Sequence, residues 1–202
     1  IAMVAACPFP SPRGSQVLIR ELAEGLADRG HEVHLVTYPR GESLVTVRGM
    51  LVHRAAQPWG VRAPTGWRKV VLDLCLAVTL LRVVRRYQVE VIHAHNYEGP
   101  LVSYVVRKLT GVPVVYHSHN ALEDELEHYV RPGWRRHAAR RIGGWLDRWV
   151  PRWADFSIAL SGELESFLRE RGVSTRRLTM IPPTRTLLPP PTSSAADTDV
   201  FV

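Results

Sequence analysis

One phrase recurs three times in this chain and limits what it can fold into. An amphipathic helix runs to a glycine, and a β-branched strand follows. In residues 15–29, Leu18, Leu22, Leu26 and Ala27 keep the 3.6-residue period of a helix, with Val17, Ile19 and Ala23 beside them. Gly30 follows as a left-handed cap, and HEVHLVT then reads as a strand. Residues 100–109 pass through Gly111 into 112–117, and residues 162–171 pass through Gly172 towards 178–181. Strands separated by helices need crossover connections, so they pair in parallel. The expected order is β (2–7), α (15–29), β (32–37), β (45–54, read as a possible hairpin), α (67–87), β (89–94), α (99–110), β (113–117), α (121–150), β (155–160), α (162–171), β (178–181). This is an α/β fold: a doubly wound, Rossmann-like parallel sheet with helices on both faces.

Composition bounds the rest. At 202 residues, 46% hydrophobic and 22% charged, the chain can bury a full core and is not disordered. The expected division is a domain over 1–184 and a Pro/Ser/Thr-rich linker or tail over 185–202. Cys7 and Cys75 cannot make a disulfide framework. The longest apolar run, 70–84, is broken by Asp73 and Arg82 and is too short for a membrane span. The first residues, IAMVAAC, enter a strand with no signal-peptide pattern, which suggests a cytoplasmic chain trimmed at its first strand. An abrupt start and a linker-like end suggest the front half of something longer.

The net charge is +7, and residues 131–153, with seven Arg against Asp147, supply +6 of it. The basic character is therefore one local patch. It gives no general case for nucleic acid, and no nucleic-acid partner is expected. On a helical wheel, Trp134, Ala138, Ile142, Trp145, Leu146, Trp149 and Trp153 share one face. Arg136 and Arg140 fall opposite, Arg141 and Arg148 flank the stripe, and Arg135 lies within it. The plain reading buries the Trp stripe in the core. The sharper one sets a basic, Trp-bearing face on an anionic membrane surface, with Trp134 and Trp153 as the exposed ends.

In doubly wound folds, ligands bind beyond the carboxyl ends of the strands. The first such loop, CPFPSPRGSQ, is neither G-x-G-x-x-G nor a Walker loop, which removes the main support for a dinucleotide enzyme. Gly14 and Ser15 still stand at a helix start, with free backbone N–H groups; the plainer reading is an ordinary capped helix start with Ser15 or Ser11 as its cap. Two further strand ends read His93-Ala-His95-Asn96 and His117-Ser-His119-Asn120. The two-residue period places the histidines of a pair on one side of the backbone. They either close the sheet edge with hydrogen bonds or offer a proton-handling group to a cleft. Zinc is set aside, since no Cys accompanies them and Glu98 and Glu123 have local uses. Asn120 with Glu123, and Ser161 with Glu163, read as helix caps.

Taken together, these phrases resemble glycosyltransferase family 4. The opening PFPSPRGSQVLIRELAEGLADRGHEVHLVTY, the strand ends VEVIHAHN and GVPVVYHSHN, and DFSIALSGELESFLRERGV with MIPP carry the resemblance over about residues 1–184. It implies the N-terminal, acceptor-side domain of a GT-B enzyme. Such an enzyme is retaining and metal-independent and moves a sugar from a nucleotide donor to an acceptor hydroxyl, often lipid-linked. No cofactor is implied, because the nucleotide sugar is a substrate. By resemblance, His117 matches the cleft histidine at the reaction centre. Gly14 and Ser15 match the loop near donor phosphates or acceptor, and His95, Asn96, His119 and Asn120 belong to the same rim. The nucleotide-sugar domain is not in this sequence, so the isolated chain is expected to be inactive. The alternative is a non-enzymatic module that binds an anionic membrane through Trp134, Arg135, Arg136, Arg140 and Arg141.

Overall fold

The structure, a computed structural model, describes residues 1–11, 14–39, 48–57, 67–121 and 134–183. Seven strands form one parallel sheet: β1 (Ala2–Ala5), β2 (Val33–Thr37), β3 (Met50–Arg54), β4 (Ile92–His95), β5 (Val114–Ser118), β6 (Phe156–Ala159) and β7 (Leu178–Met180). Between them run α1 (Gly14–Asp28), α2 (Trp67–Arg86), α3 (Glu98–Thr110), α4 (Trp134–Trp153) and α5 (Gly162–Glu170), with a short 3-10 turn at Thr175–Arg177. The order across the sheet is β3-β2-β1-β4-β5-β6-β7. The chain winds outward from β1 in one direction, returns through α2, and winds outward in the other. The point of reversal lies between β1 and β4, where a crevice opens at the carboxyl ends.

Register decides which side chains share a face. Ala2, Val4, Val36, Ile92, Ala94, Val114 and Tyr116 form one buried layer with Leu72, Leu76, Leu80, Val83 and Val84 of α2 and Val102 and Val106 of α3. Met3, Ala5, Val33 and Leu35 face the other way and pack under Ile19 and Ala23 of α1. β4 is buried along its whole length; strands buried on both faces are usually apolar throughout, yet its second face carries His93 and His95.

Glycine ends the helices as expected. Gly30, Gly111 and Gly172 have φ of 87°, 76° and 89°, a region costly for other residues. Gly99 serves differently. A Cβ there would meet the Ala94 carbonyl carbon at 3.2 Å and the Val4 carbonyl oxygen at 3.3 Å, so a residue without a side chain lets α3 begin directly on the strands at the reversal point.

Strand β3 pairs in parallel with β2, in register Val33 to Met50 and Thr37 to Arg54; the other arm of the possible hairpin falls outside the described residues. Helix α4 is turned from its expected setting, which corrects that expectation. Among its described positions Gly143, Asp147, Val150 and Pro151 are buried, while Ile142, Trp145 and Trp149 are 56%, 55% and 41% exposed. Trp153, expected to be an exposed end, is half-buried and lies 4.9 Å from the Tyr104 ring of α3. A helix packed close against its neighbours needs small or slim residues at the contact, and Gly143 and Val150 provide them where indoles would hold it off. The side chains of Trp134, Arg135 and Arg136, the Asn120–Glu123 cap and residues 185–202 fall outside the described ones.

Candidate functional site

At the carboxyl edge, bonds tie β2 and β3 to the loop after β1, and the loop after β4 to the loop after β5. Thr37 Oγ1 donates to the Cys7 carbonyl at 2.6 Å, and Arg54 Nη1 donates to the Phe9 carbonyl at 2.8 Å. Tyr97 Oη donates to the Asn120 carbonyl at 2.9 Å, which ties the loop after β4 to the loop after β5. Asn96 makes its turn with φ of 58°, in the left-handed region that Asn tolerates better than most residues.

Four histidines gather here. His93 pairs in register with Met3 and Val115, and His95 with Ala5 and His117, so all three rings lie on the α1 face of the sheet. Ring centroids are 4.6 Å apart for His93 and His95, and 5.3 Å for His117 with each of them. His119, just past β5, adds a contact of 3.1 Å from its Nε2 to Nδ1 of His95. His95 is fully buried, His117 is 4% exposed and His93 9%. Burial holds all four rings in the neutral form. It lowers His93 and His119 to about 3 and His117 to about 4, and His95 falls well below its usual value. Neighbouring rings add to the shift at His93, His95 and His119. Among the described residues, Nε2 of His93, Nε2 of His95 and both ring nitrogens of His117 have no hydrogen-bond partner. Buried polar atoms are nearly always satisfied, so such a group points to a ligand.

A second polar group at the same edge was not foreseen. Tyr38, just after β2, hydrogen-bonds through its hydroxyl to Asp73 of α2. Lys69 Nζ reaches the Tyr38 hydroxyl at 3.0 Å, Asp73 at 3.5 Å and Glu98 at 2.8 Å, bridging α2 to the start of α3. Burial raises the Tyr38 and Asp73 pKa values, and the Asp73 carboxylate raises Tyr38 further. Burial also pushes the Cys7 thiol up to about 12, so it is not a ready nucleophile. Lys69 is one of only two lysines, and Asp73 interrupts an apolar run; those were the available signals.

The remaining expected residues are placed as follows. Gly14 is the first residue of α1, exposed, with open space around it. Ser15 is inside the helix and not its cap; its hydroxyl lies 3.4 Å from Gln16 Oε1. Ser161 caps α5 as expected, accepting from the Leu164 N–H at 3.2 Å. Arg140 and Arg141 are exposed on α4. His95, Asn96, His117, His119 and Asn120 are brought to one edge.

The family model described as glycosyl transferase 4-like domain matches residues 13–184. The chain belongs to that family, and its sheet is that of the N-terminal domain of a GT-B glycosyltransferase. Comparison with curated proteins returns no match. Solved structures share the fold at low identity. One structure of a sucrose-phosphate synthase from Thermosynechococcus elongatus is 18% identical with a TM-score of 0.62, covering 90% of this chain and 87% of that one. Another of the same synthase is 16% identical with a TM-score of 0.69, covering 90% and 47%. Anabaena Alr3699/HepE in complex with UDP-glucose is 17% identical with a TM-score of 0.61, covering 90% and 43%. The chain thus spans less than half of the length of these last two. No described helix is long and apolar enough to cross a membrane.

Proposed function

We propose that this chain is the acceptor-side domain of a retaining, metal-independent glycosyltransferase that moves a sugar from a nucleotide donor to an acceptor hydroxyl. One observation supports this reading above the others: the ring nitrogens of His117, neutral and without a partner among the described residues, stand at the carboxyl end of β5. A neutral imidazole can donate one hydrogen bond and accept one, which suits a sugar hydroxyl. Asn96, His119 and Asn120 line the same rim, and the start of α1 at Gly14 and Ser15 offers backbone N–H groups to a phosphate. The Anabaena neighbour is a complex with UDP-glucose, a donor of the proposed class, and in this reading the donor's nucleotide is held mainly by a second domain. Catalysis requires both reactants in one geometry, so the chain alone transfers no sugar. The decisive assay uses a full-length parent with its cognate donor and His117→Ala. Calorimetry on the isolated chain should give no tight nucleotide-sugar complex, and a tight one would overturn the division of labour.

A second reading concerns location. Trp145, Trp149 and Ile142 are exposed with Arg141 and Arg148 flanking them and Arg140 exposed across the helix, a basic amphipathic surface suited to the anionic inner surface of a membrane in the cytoplasm. Each basic residue near such a surface adds about 1 kcal/mol. Sedimentation with anionic liposomes should show binding at low salt that weakens when Arg140 and Arg141 become Ser, and again when Trp145 and Trp149 become Ser. Binding indifferent to all four removes this reading.

A further inference from the structure

We propose that His93, His95 and His117 form a binding site for a divalent transition metal of the zinc type, with His119 orienting His95. One ligand atom from each of the three residues lies within 4.8 Å of the others. Each of these residues carries a buried ring nitrogen without a partner among the described residues. Buried polar atoms left without a partner destabilise the interior, so an occupant that accepts their lone pairs is favoured. The His95–His119 contact of 3.1 Å supplies the rest of the pattern. A ligating histidine usually donates its other N–H to a neighbour, which sets the tautomer. With Nδ1–H of His95 given to Nε2 of His119, the lone pair of His95 Nε2 is left for the metal.

The donor set selects the ion. Imidazoles suit zinc, cobalt, nickel and copper, whereas magnesium and calcium require oxygen ligands. No described Asp, Glu or Cys belongs to this group. Zinc–nitrogen bonds of about 2.0–2.1 Å in a tetrahedron place the nitrogens roughly 3.4 Å apart. From 4.8 Å that is a movement on the order of 1 Å, within reach of ring rotation. Two of the ligands come from alternate positions of β4 and the third from the register-matched position of β5, so the backbone already places them. A metal on one nitrogen of His117 takes the lone pair that would accept from a sugar hydroxyl and leaves only the other nitrogen's N–H to donate. The metal thus competes with the accepting half of that role and is no part of the transfer chemistry, and the site stands whether or not the transferase reading does.

The test titrates the full 202-residue chain with Co²⁺, then Zn²⁺, with Mg²⁺ as control. Expected are the visible ligand-field bands of nitrogen-bound tetrahedral cobalt, saturation at one metal per chain, displacement by zinc and no effect of magnesium. His93→Ala, at the most accessible of the three, should weaken cobalt at least about tenfold, since even outer-shell partners are worth roughly that much. His31→Ala, at an exposed histidine, should change nothing. The absence of a saturable cobalt spectrum at large excess, or equal affinity in a folded His93→Ala chain, overturns the proposal. Should that variant not fold, imidazole nitrogen NMR of the unaltered chain decides. Zinc must shift His93, His95 and His117 together, and shifts confined to exposed His31 or His137 overturn the site.

Discussion

Two pairs of histidines meet across this molecule with the same geometry and opposite surroundings. His34 Nδ1 lies 3.1 Å from His53 Nε2, and His95 Nδ1 lies 3.1 Å from His119 Nε2. At His34 the second nitrogen is also engaged, 3.1 Å from the Glu32 carboxylate, and the ring stacks on Tyr87 at 4.1 Å. At His95 the second nitrogen has no partner among the described residues, and neither has either nitrogen of its neighbour His117. The first pair joins His34 of β2 to His53 of β3 beside Tyr87, just past α2; the second lies at the carboxyl edge, where ligands bind in folds of this kind. A buried histidine that has spent both nitrogens serves the fold, whereas one held neutral with a nitrogen to spare is kept for something that arrives.

The widest separation between the two regions should appear in turnover. In a full-length parent, His117→Ala is expected to lower turnover on the order of 100-fold, as losing a positioned proton-handling or hydrogen-bonding group does. A change within about threefold, under about 1 kcal/mol, would break the comparison at its functional end. His34→Ala should do the reverse. It strands His53 and removes the stack on Tyr87, so denaturant unfolding should show a loss of about 2 kcal/mol, with turnover per folded molecule unchanged. An unaltered midpoint would mean the pair is idle.

Acid sharpens the contrast further. Burial lowers the His34 and His53 pKa values from 6.5, so as pH falls the unfolded chain takes up protons first. Their contribution is complete above about pH 6.5 and declines below it, by up to about 1.4 kcal/mol per pH unit for each histidine. Unfolding curves between pH 7 and about pH 5 should therefore weaken with acid. The double variant His34→Asn, His53→Asn should show a shallower decline, and an identical slope would contradict their burial as neutral rings. The smallest effect belongs to Glu32, 67% exposed beside His34. Glu32→Gln should change stability by no more than about 0.5 kcal/mol in low salt, and a loss several times larger would show that the carboxylate does more than a surface ion pair.

Much of this was legible in the residues. The three glycines after helices, the serine before Gly162 and the two-residue spacing of His93 with His95 each dictate local geometry, and the structure repeats them. The Tyr38–Lys69–Asp73–Glu98 group was not legible. Its members come from the end of β2, two positions one turn apart on α2, and the start of α3, and no spacing in the sequence links them. Periodicity found the Trp stripe of α4 but did not reveal which face of the helix would be buried, because size and hydrophobicity favoured the indoles and close packing favoured Gly143 and Val150.

By itself, then, the sequence determined the alternation of helix and strand, the parallel pairing that crossovers require, and the polar character of two strand ends. These depend on a few residues of neighbouring chain, where periodicity and backbone conformation act directly. The tertiary structure alone decided that His95 and His117 stand in register, that the unspent nitrogens share one face with His93, and that α4 turns Trp145 and Trp149 outward while Trp153 packs on Tyr104. Those follow from the order of strands and the closeness of packing, which arise only when distant segments compete for the same interior.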